Sequence, residues 1–292
     1  MSFVGAVADA IAQATGEPFA PHDVRGVSGG DIHAARVLAD GARRFFVKAN
    51  RADRLPMFEA EAEALAALAA SGAVRVPHPV CLGVAAGQAY LAMEYLELRG
   101  RGDTAALGTA LAALHRQPQT RFGWAHDNWI GGTPQPNGWQ DDWIVFWRDA
   151  RLGFQFERAA QNGHGGALQR DGETLRAHLA AFFGACAPAP SLLHGDLWGG
   201  NHGYLPDGAP VLFDPASYVG DRECDLAMTE LFGGYAADFH AAYRAAWPLD
   251  PGYAVRRTLY NLYHVLNHAN LFGGGYAAQA ARMTAQLLAE IR

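Results

Sequence analysis

The sequence predicts a bilobal α+β fold, with a small antiparallel β-sheet N-lobe plus one helix over residues 1–97 and a mostly α-helical C-lobe over 98–292. Three observations predict it. Residues 22–95 alternate short β-branched and aromatic runs with turn glycines, the pattern of antiparallel strands. From Arg99 onward apolar residues recur at helical spacing in long stretches. A chain of 292 residues suffices for one large domain or two small ones, and neither an internal repeat nor a low-complexity linker interrupts it.

The elements follow in order. Val4, Val7, Ala8 and Ile11 make an amphipathic first helix. Residues 22–49 read as short strands broken by Gly26, Gly29, Gly30 and Gly41, the last being Arg44-Phe45-Phe46-Val47-Lys48. Residues 56–70 are a helix with Pro56 in its first turn. Strands follow at Val80–Val84 and Ala89–Tyr95. Helices are predicted over 103–116, 139–161, 172–185, 221–246 and 251–291, interrupted by a strand cluster near 192–214. The Gly-, Pro- and Trp-rich stretch 117–138 reads as a long ordered loop, a length that usually carries function.

Composition narrows the function. The formal charge is −6, which argues against a nucleic-acid partner needing a basic face. No apolar run approaches the ~20 residues of a membrane span. Cys81, Cys186 and Cys224 form no CxxC pair and read as reduced thiols. The N-terminus lacks a basic region, and Asp9 breaks its apolar stretch, so a signal peptide is not expected and the chain reads as cytoplasmic. The 23 basic residues comprise 22 arginines and a single lysine, Lys48.

The sharpest segment is Leu192-Leu193-His194-Gly195-Asp196-Leu197-Trp198-Gly199-Gly200-Asn201. It has the HxDxxxxN spacing of a kinase catalytic loop. Thirteen residues beyond Asn201, the apolar run Val211-Leu212-Phe213 ends in Asp214. Phosphoryl transfer needs a carboxylate to receive the acceptor's proton and oxygen ligands for Mg²⁺ on the phosphates of ATP. Asp196 suits the first role, and Asn201 and Asp214 the second. A turn with a capping Asn is the plainer alternative, but it leaves the second acid unexplained. The fold expected is therefore protein-kinase-like.

Such a fold needs a phosphate-binding lysine paired with a helix acid. Lys48 ends its strand. Phe58, Glu61, Leu65 and Leu68 share one face of the next helix, with Glu59 and Glu63 on the other. Glu61 is thus the acid on the apolar stripe, where burial requires a partner. Ser28, Gly29 and Gly30 would form the loop over the phosphates, or an ordinary hairpin turn. The Glu94 carbonyl and Leu96 amide stand where a kinase hinge meets adenine.

FVKAN, FEAEAEAL, VPHP, TPQPNGWQDDW, LLHGDLWGGN, FDPASYVGDRECDLAMTELFGG and LNHANLFGGGY together resemble the fructosamine kinase (ketosamine-3-kinase) family over nearly the whole chain. The resemblance implies an ATP-dependent kinase with the fold of aminoglycoside phosphotransferases. Its acceptor would be the 3-hydroxyl of a ketosamine, a small molecule or a glycated peptide or protein. The phosphate would then leave by elimination and free the amine, which is deglycation. Trp198 would lie beside the acceptor, where an indole face attracts a cationic amine. Alternatively it packs the loop. Asn267 and His268 would line the acceptor side. Asp141 and Asp142 would attract the amine or cap the helix that follows. Asp225 reads as a buried acid holding the catalytic loop, and His194 as its support. Two rivals remain: an aminoglycoside- or choline-type phosphotransferase, and a pseudokinase that binds nucleotide without turnover.

Overall fold

The first helix forms because its ends are capped and one face is apolar. In the computed structural model, which describes residues 2–27, 32–184 and 186–291, Ser2 accepts from Gly5 N at 3.2 Å to start α1 (Phe3–Thr15). Gly16, at φ 73°, ends it. Val7, Ala8 and Ile11 are its buried stripe.

The sheet comprises β1 (Asp23–Val27), β2 (Ala34–Asp40), β3 (Arg43–Arg51), β4 (Pro79–Ala85) and β5 (Gln88–Glu94). The order is β1-β2-β3-β5-β4, antiparallel throughout. Strand alternation sends Phe45 and Val47 toward α1, where they join Leu38, Tyr90 and Ala92 in one core. Lys48, the next residue, therefore faces the other side, where α2 (Leu55–Ala70) packs with Phe58, Leu65 and Leu68 buried. The chain divides into two units, the first being residues 1–103 with 203–215. The later stretch joins it through β9 (His202–Tyr204) and β10 (Pro210–Leu212), in bridges from Tyr204 to Arg99 and from Val211 to Arg75.

The second unit, residues 104–202 with 216–292, is mostly helical. It holds α3 (Thr104–His115), the hairpin β6 (Asn128–Ile130) and β7 (Thr133–Gln135), and α4 (Trp143–Phe146). A π-helical segment, Trp147–Gly153, continues α4 into α5 (Phe154–Gln161). Then come α6 (Ala167–Ala177), β8 (Pro190–Leu192), β11 (Val219–Asp221), α7 (Glu223–Met228), α8 (Ala237–Ala246), α9 (Tyr253–Phe272) and α10 (Gly275–Glu290). β8 pairs with β11. The core gathers Trp143, Phe146, Trp147, Leu193, Tyr260, Tyr263 and Leu266. It also contains an ionic knot: Arg256 donates to Glu223 at 2.7 and 3.0 Å, and Tyr260 to Asp221 at 2.5 Å.

Five expectations need correction. The helix expected over 172–185 runs instead over Ala167–Ala177, with a 3₁₀ turn at Leu179–Phe182. The loop 117–138 contains the β6–β7 hairpin. The helix expected over 139–161 starts at Trp143 and carries a π-helical segment. The helix expected over 221–246 is broken between Met228 and Ala237, where Gly233 and Gly234 take φ of 87° and 72°. That expected over 251–291 is split at Gly273 and Gly274, at 65° and 61°. Left-handed backbone of this kind ends a helix.

Candidate active site

In the first unit the register of β3 against β2 and β5 fixes Lys48, opposite Ala35 and Leu91. Its side chain is 8% exposed, and Nζ lies 2.6 Å from both Glu61 Oε1 and Asp214 Oδ1. Burial pulls the Lys48 pKa down, but Glu61 and Asp214 outweigh it and hold the ammonium above its ordinary value. Of the two acids, Asp214 is the more open, at 46% exposure. Asp214 also has φ 56°, a left-handed conformation that costs roughly 1–3 kcal/mol outside glycine.

The phosphate-loop candidates Ser28, Gly29 and Gly30 lie outside the described residues. The end of that loop is clamped: Asn50 Nδ2 donates to Ile32 O at 3.0 Å and to His33 Nδ1 at 2.9 Å. His33 packs on Phe58, and burial followed by the charge of Lys48 lowers its pKa to about 4. Sequence reading missed this clamp, because Asn50 is a polar residue at a strand end with no motif around it. Glu94 ends β5. Its side chain pairs with Arg75 and accepts from His78 N at 3.3 Å. That carboxylate braces the strand end. Leu96 follows in the half-buried segment beyond the strand.

In the second unit the catalytic-loop segment is tied to itself. Asn201 Nδ2 donates to Asp196 O at 2.9 Å and to Asp196 Oδ2 at 3.1 Å. Trp198 N donates to Asp196 O, and Asn201 N to Trp198 O. Trp198 is 40% exposed. Its ring lies over Gly200, where a Cβ would come within 2.2 Å of it. From below, Asp225 accepts from His194 N at 2.7 Å and Gly195 N at 2.8 Å, and His115 Nε2 lies 3.1 Å from it. Gly195 has φ 84°, and a Cβ there would meet Ala216 O at 2.1 Å.

Burial pushes the Asp225 carboxyl up, but His115, His194 and the Gly195 N–H outweigh it and hold it below its ordinary value. A depressed carboxyl contributes stability above its unfolded pKa and loses it as pH falls through the folded one. Asp225→Ala at neutral pH should therefore cost about 3–5 kcal/mol, or on the order of 10 °C in Tm, read by thermal melting. A Tm within 2 °C of wild type would reject its loop-holding role.

The remaining acceptor-side candidates divide. Asp142 Oδ1 accepts from Ile144 N and Val145 N, so it is the N-cap of α4. Asp141 is an exposed partner of Arg121 at 2.7 Å. Asn267 is buried and joins Gln155 and Ile130 O at 3.4 Å each. Its amide thus bridges α5 and the β6 strand. His268 is half-buried among Phe232, Phe272 and Tyr276, with Nδ1 2.8 Å from His264 O.

A strand lysine salt-bridged to a helix acid, and an HGDxxxxN loop built on a buried Asp, define a phosphotransferase of the kinase-like fold. An aminoglycoside phosphotransferase shares that fold at a TM-score of 0.63 and 15% identity, over 97% of this chain and 98% of that one. The chain belongs to the fructosamine kinase family, which matches residues 3–290. A protein of Synechocystis sp. named "Probable ketoamine kinase" is 47% identical over 97% of this chain and 96% of its own. A crystal structure of a candidate fructosamine-3-kinase from Haemophilus somnus superposes with a TM-score of 0.88 at 28% identity, covering 97% of this chain and 96% of that one. The chain is a phosphotransferase with an alcohol group as acceptor. Among the described residues no helix is long and apolar enough to cross a membrane.

Proposed function

We propose that the protein is an ATP-dependent kinase of the 3-hydroxyl of ketosamines, fructosamines or ribulosamines on small amines or on proteins. The observation that carries this is Lys48 Nζ at 2.6 Å from both Glu61 and Asp214. In this reading the first unit is the nucleotide clamp, with Lys48 on the phosphates and Glu61 aiming it. Ser28, Gly29 and Gly30 cover the phosphates, and the backbone at Glu94 and Leu96 meets adenine. Asp196 receives the proton of the acceptor hydroxyl. Asn201 Nδ2 donates to the same carboxylate and fixes its direction.

In this reading Asn201 and Asp214, each with a hard oxygen donor, would hold Mg²⁺. Bound there, Mg²⁺ would neutralise charge on the transferred phosphoryl group. Asp142 caps α4, which supports the helix-cap side of the alternative for that residue, while Asp141 stays exposed beside Arg121. Phosphorylation beside the carbonyl-bearing carbon makes a product able to lose phosphate and release the amine, a repair function suited to the cytoplasm.

ATP consumption tests the reading, with a fructosamine or ribulosamine, an aminoglycoside, and no acceptor. Turnover confined to the ketosamine is expected; turnover confined to the aminoglycoside would replace this reading. In this reading the exposed ring of Trp198 would stack on the acceptor's cationic amine, a contact worth about 0.5–2 kcal/mol. Trp198→Ala should raise the ketosamine KM roughly 3- to 30-fold and leave the ATP KM unchanged. An unchanged ketosamine KM would return the ring to loop packing.

A further inference from the structure

The stretch 117–138 carries three buried amides that phosphoryl transfer itself does not use. Asn128, Gln135 and Asn137 are 5%, 0% and 0% exposed. Burying an amide costs free energy unless its polar atoms are bonded, and these are bonded to one another and to three main-chain carbonyls, those of Ala216, Ser217 and His126. Gln135 Nε2 donates to Asn128 Oδ1 at 2.8 Å and to Ala216 O at 3.1 Å. Asn128 Nδ2 donates to Ser217 O at 2.8 Å, and Asn137 Nδ2 to Asn128 Oδ1 at 2.8 Å.

Two elements close the lattice from outside. Tyr263 OH, on α9, donates to Gln135 Oε1 at 2.8 Å. Arg151, on the π-helical segment, donates to Asn137 Oδ1 at 2.7 Å and to Pro136 O at 2.5 Å. Its guanidinium stands over Tyr218 at 4.0 Å and Phe146 at 4.5 Å, which offsets the cost of burying the charge. π-Helical turns are rare and concentrate at functional sites.

One of these carbonyls, that of Ala216, lies against the catalytic loop. Ala216 N donates to His194 O at 2.9 Å, and Ala216 O lies where a Gly195 side chain would be. Ala216 thus spends its N–H on the loop and its carbonyl on Gln135. Asp225 grips the N–H groups of His194 and Gly195, while Ala216 grips the His194 carbonyl.

We propose that the Asn128–Gln135–Asn137–Arg151 lattice is a positioning device for Asp196. It fixes Ala216, and through Ala216 the pitch at which His194 and Gly195 deliver the Asp196 carboxylate. The proposal rests on Asp196 being the proton acceptor. A misplacement of about 1 Å can cost roughly 100-fold, so partial loosening should be visible in turnover.

The test is Gln135→Met, which keeps the volume and removes both amide atoms. Its kcat with a ketosamine should fall about tenfold while the KM for ATP stays within twofold. Tyr263→Phe, which deletes one hydroxyl, should move kcat the same way by a smaller factor. In an Asp196→Asn background Gln135→Met should cost less than twofold, since there is no base left to position. A Gln135→Met enzyme with a lowered Tm and an unchanged kcat would overturn the proposal. So would a loss of equal size with and without the Asp196 carboxylate. If Gln135→Met does not fold, Tyr263→Phe carries both comparisons. Wild-type turnover, measured alongside, separates the two readings. Its absence overturns the functional reading and this proposal with it. Turnover by wild type with an unaffected variant overturns the positioning role alone.

Discussion

Lys48→Ala should lower kcat/KM for ATP by about 10²–10³, the scale of removing one electrostatic stabiliser from a preorganised site. The ammonium sits between two carboxylates at 2.6 Å each. Without it the buried Glu61 has lost its counter-charge, and Asp214 its nearest cation. Lys48→Arg tests the idea more sharply, because charge is kept. A guanidinium is planar and broad, and suits a bidentate contact with one carboxylate. The Lys48 position instead brings one compact ammonium to two acids in an 8%-exposed site. The arginine variant should therefore be nearly as impaired as the alanine one. Steady-state kinetics at saturating acceptor, with melting curves to confirm folding, decide it. An arginine variant with wild-type kcat/KM for ATP would make the lone lysine among 22 arginines a matter of composition.

The ion pair was legible because two independent patterns converge on it. Lys48 is the single lysine of the chain and ends an apolar strand, and helical spacing places Glu61 on the apolar stripe of α2. The second rests on a repeat long enough to read. Asp225 was legible for a related reason: an acid at a helix start beside an apolar run is costly unless it caps or holds something.

The return of residues 203–215 to the first unit was not legible. β9 and β10 are three residues each, too short to show a period, and their partners Arg99 and Arg75 lie over a hundred residues away. The polar lattice was hidden for the opposite reason. Asn128, Gln135, Asn137 and Arg151 read one at a time as surface residues, and only the fold brings them together. The breaks at Gly233-Gly234 and Gly273-Gly274 were readable from paired glycines, but the surrounding apolar spacing was given more weight than it can bear.

Asp196→Asn should reduce kcat by about 10²–10⁴, the range for loss of a positioned general base, with little change in Tm or in the KM for ATP. The geometry favours so clean an outcome. The Asp196 carbonyl, which accepts from Asn201 and from Trp198 N, is untouched by the substitution. Asp225 continues to hold the two residues before it. The loop should keep its shape while its carboxylate is lost. This separates Asp196 from Asp225, whose removal should be seen first in melting and only then in activity. Should Asp196→Asn turn over a ketosamine at the wild-type rate, the proton would have to leave by another route, and the Asn201-braced carboxylate would be a structural acid.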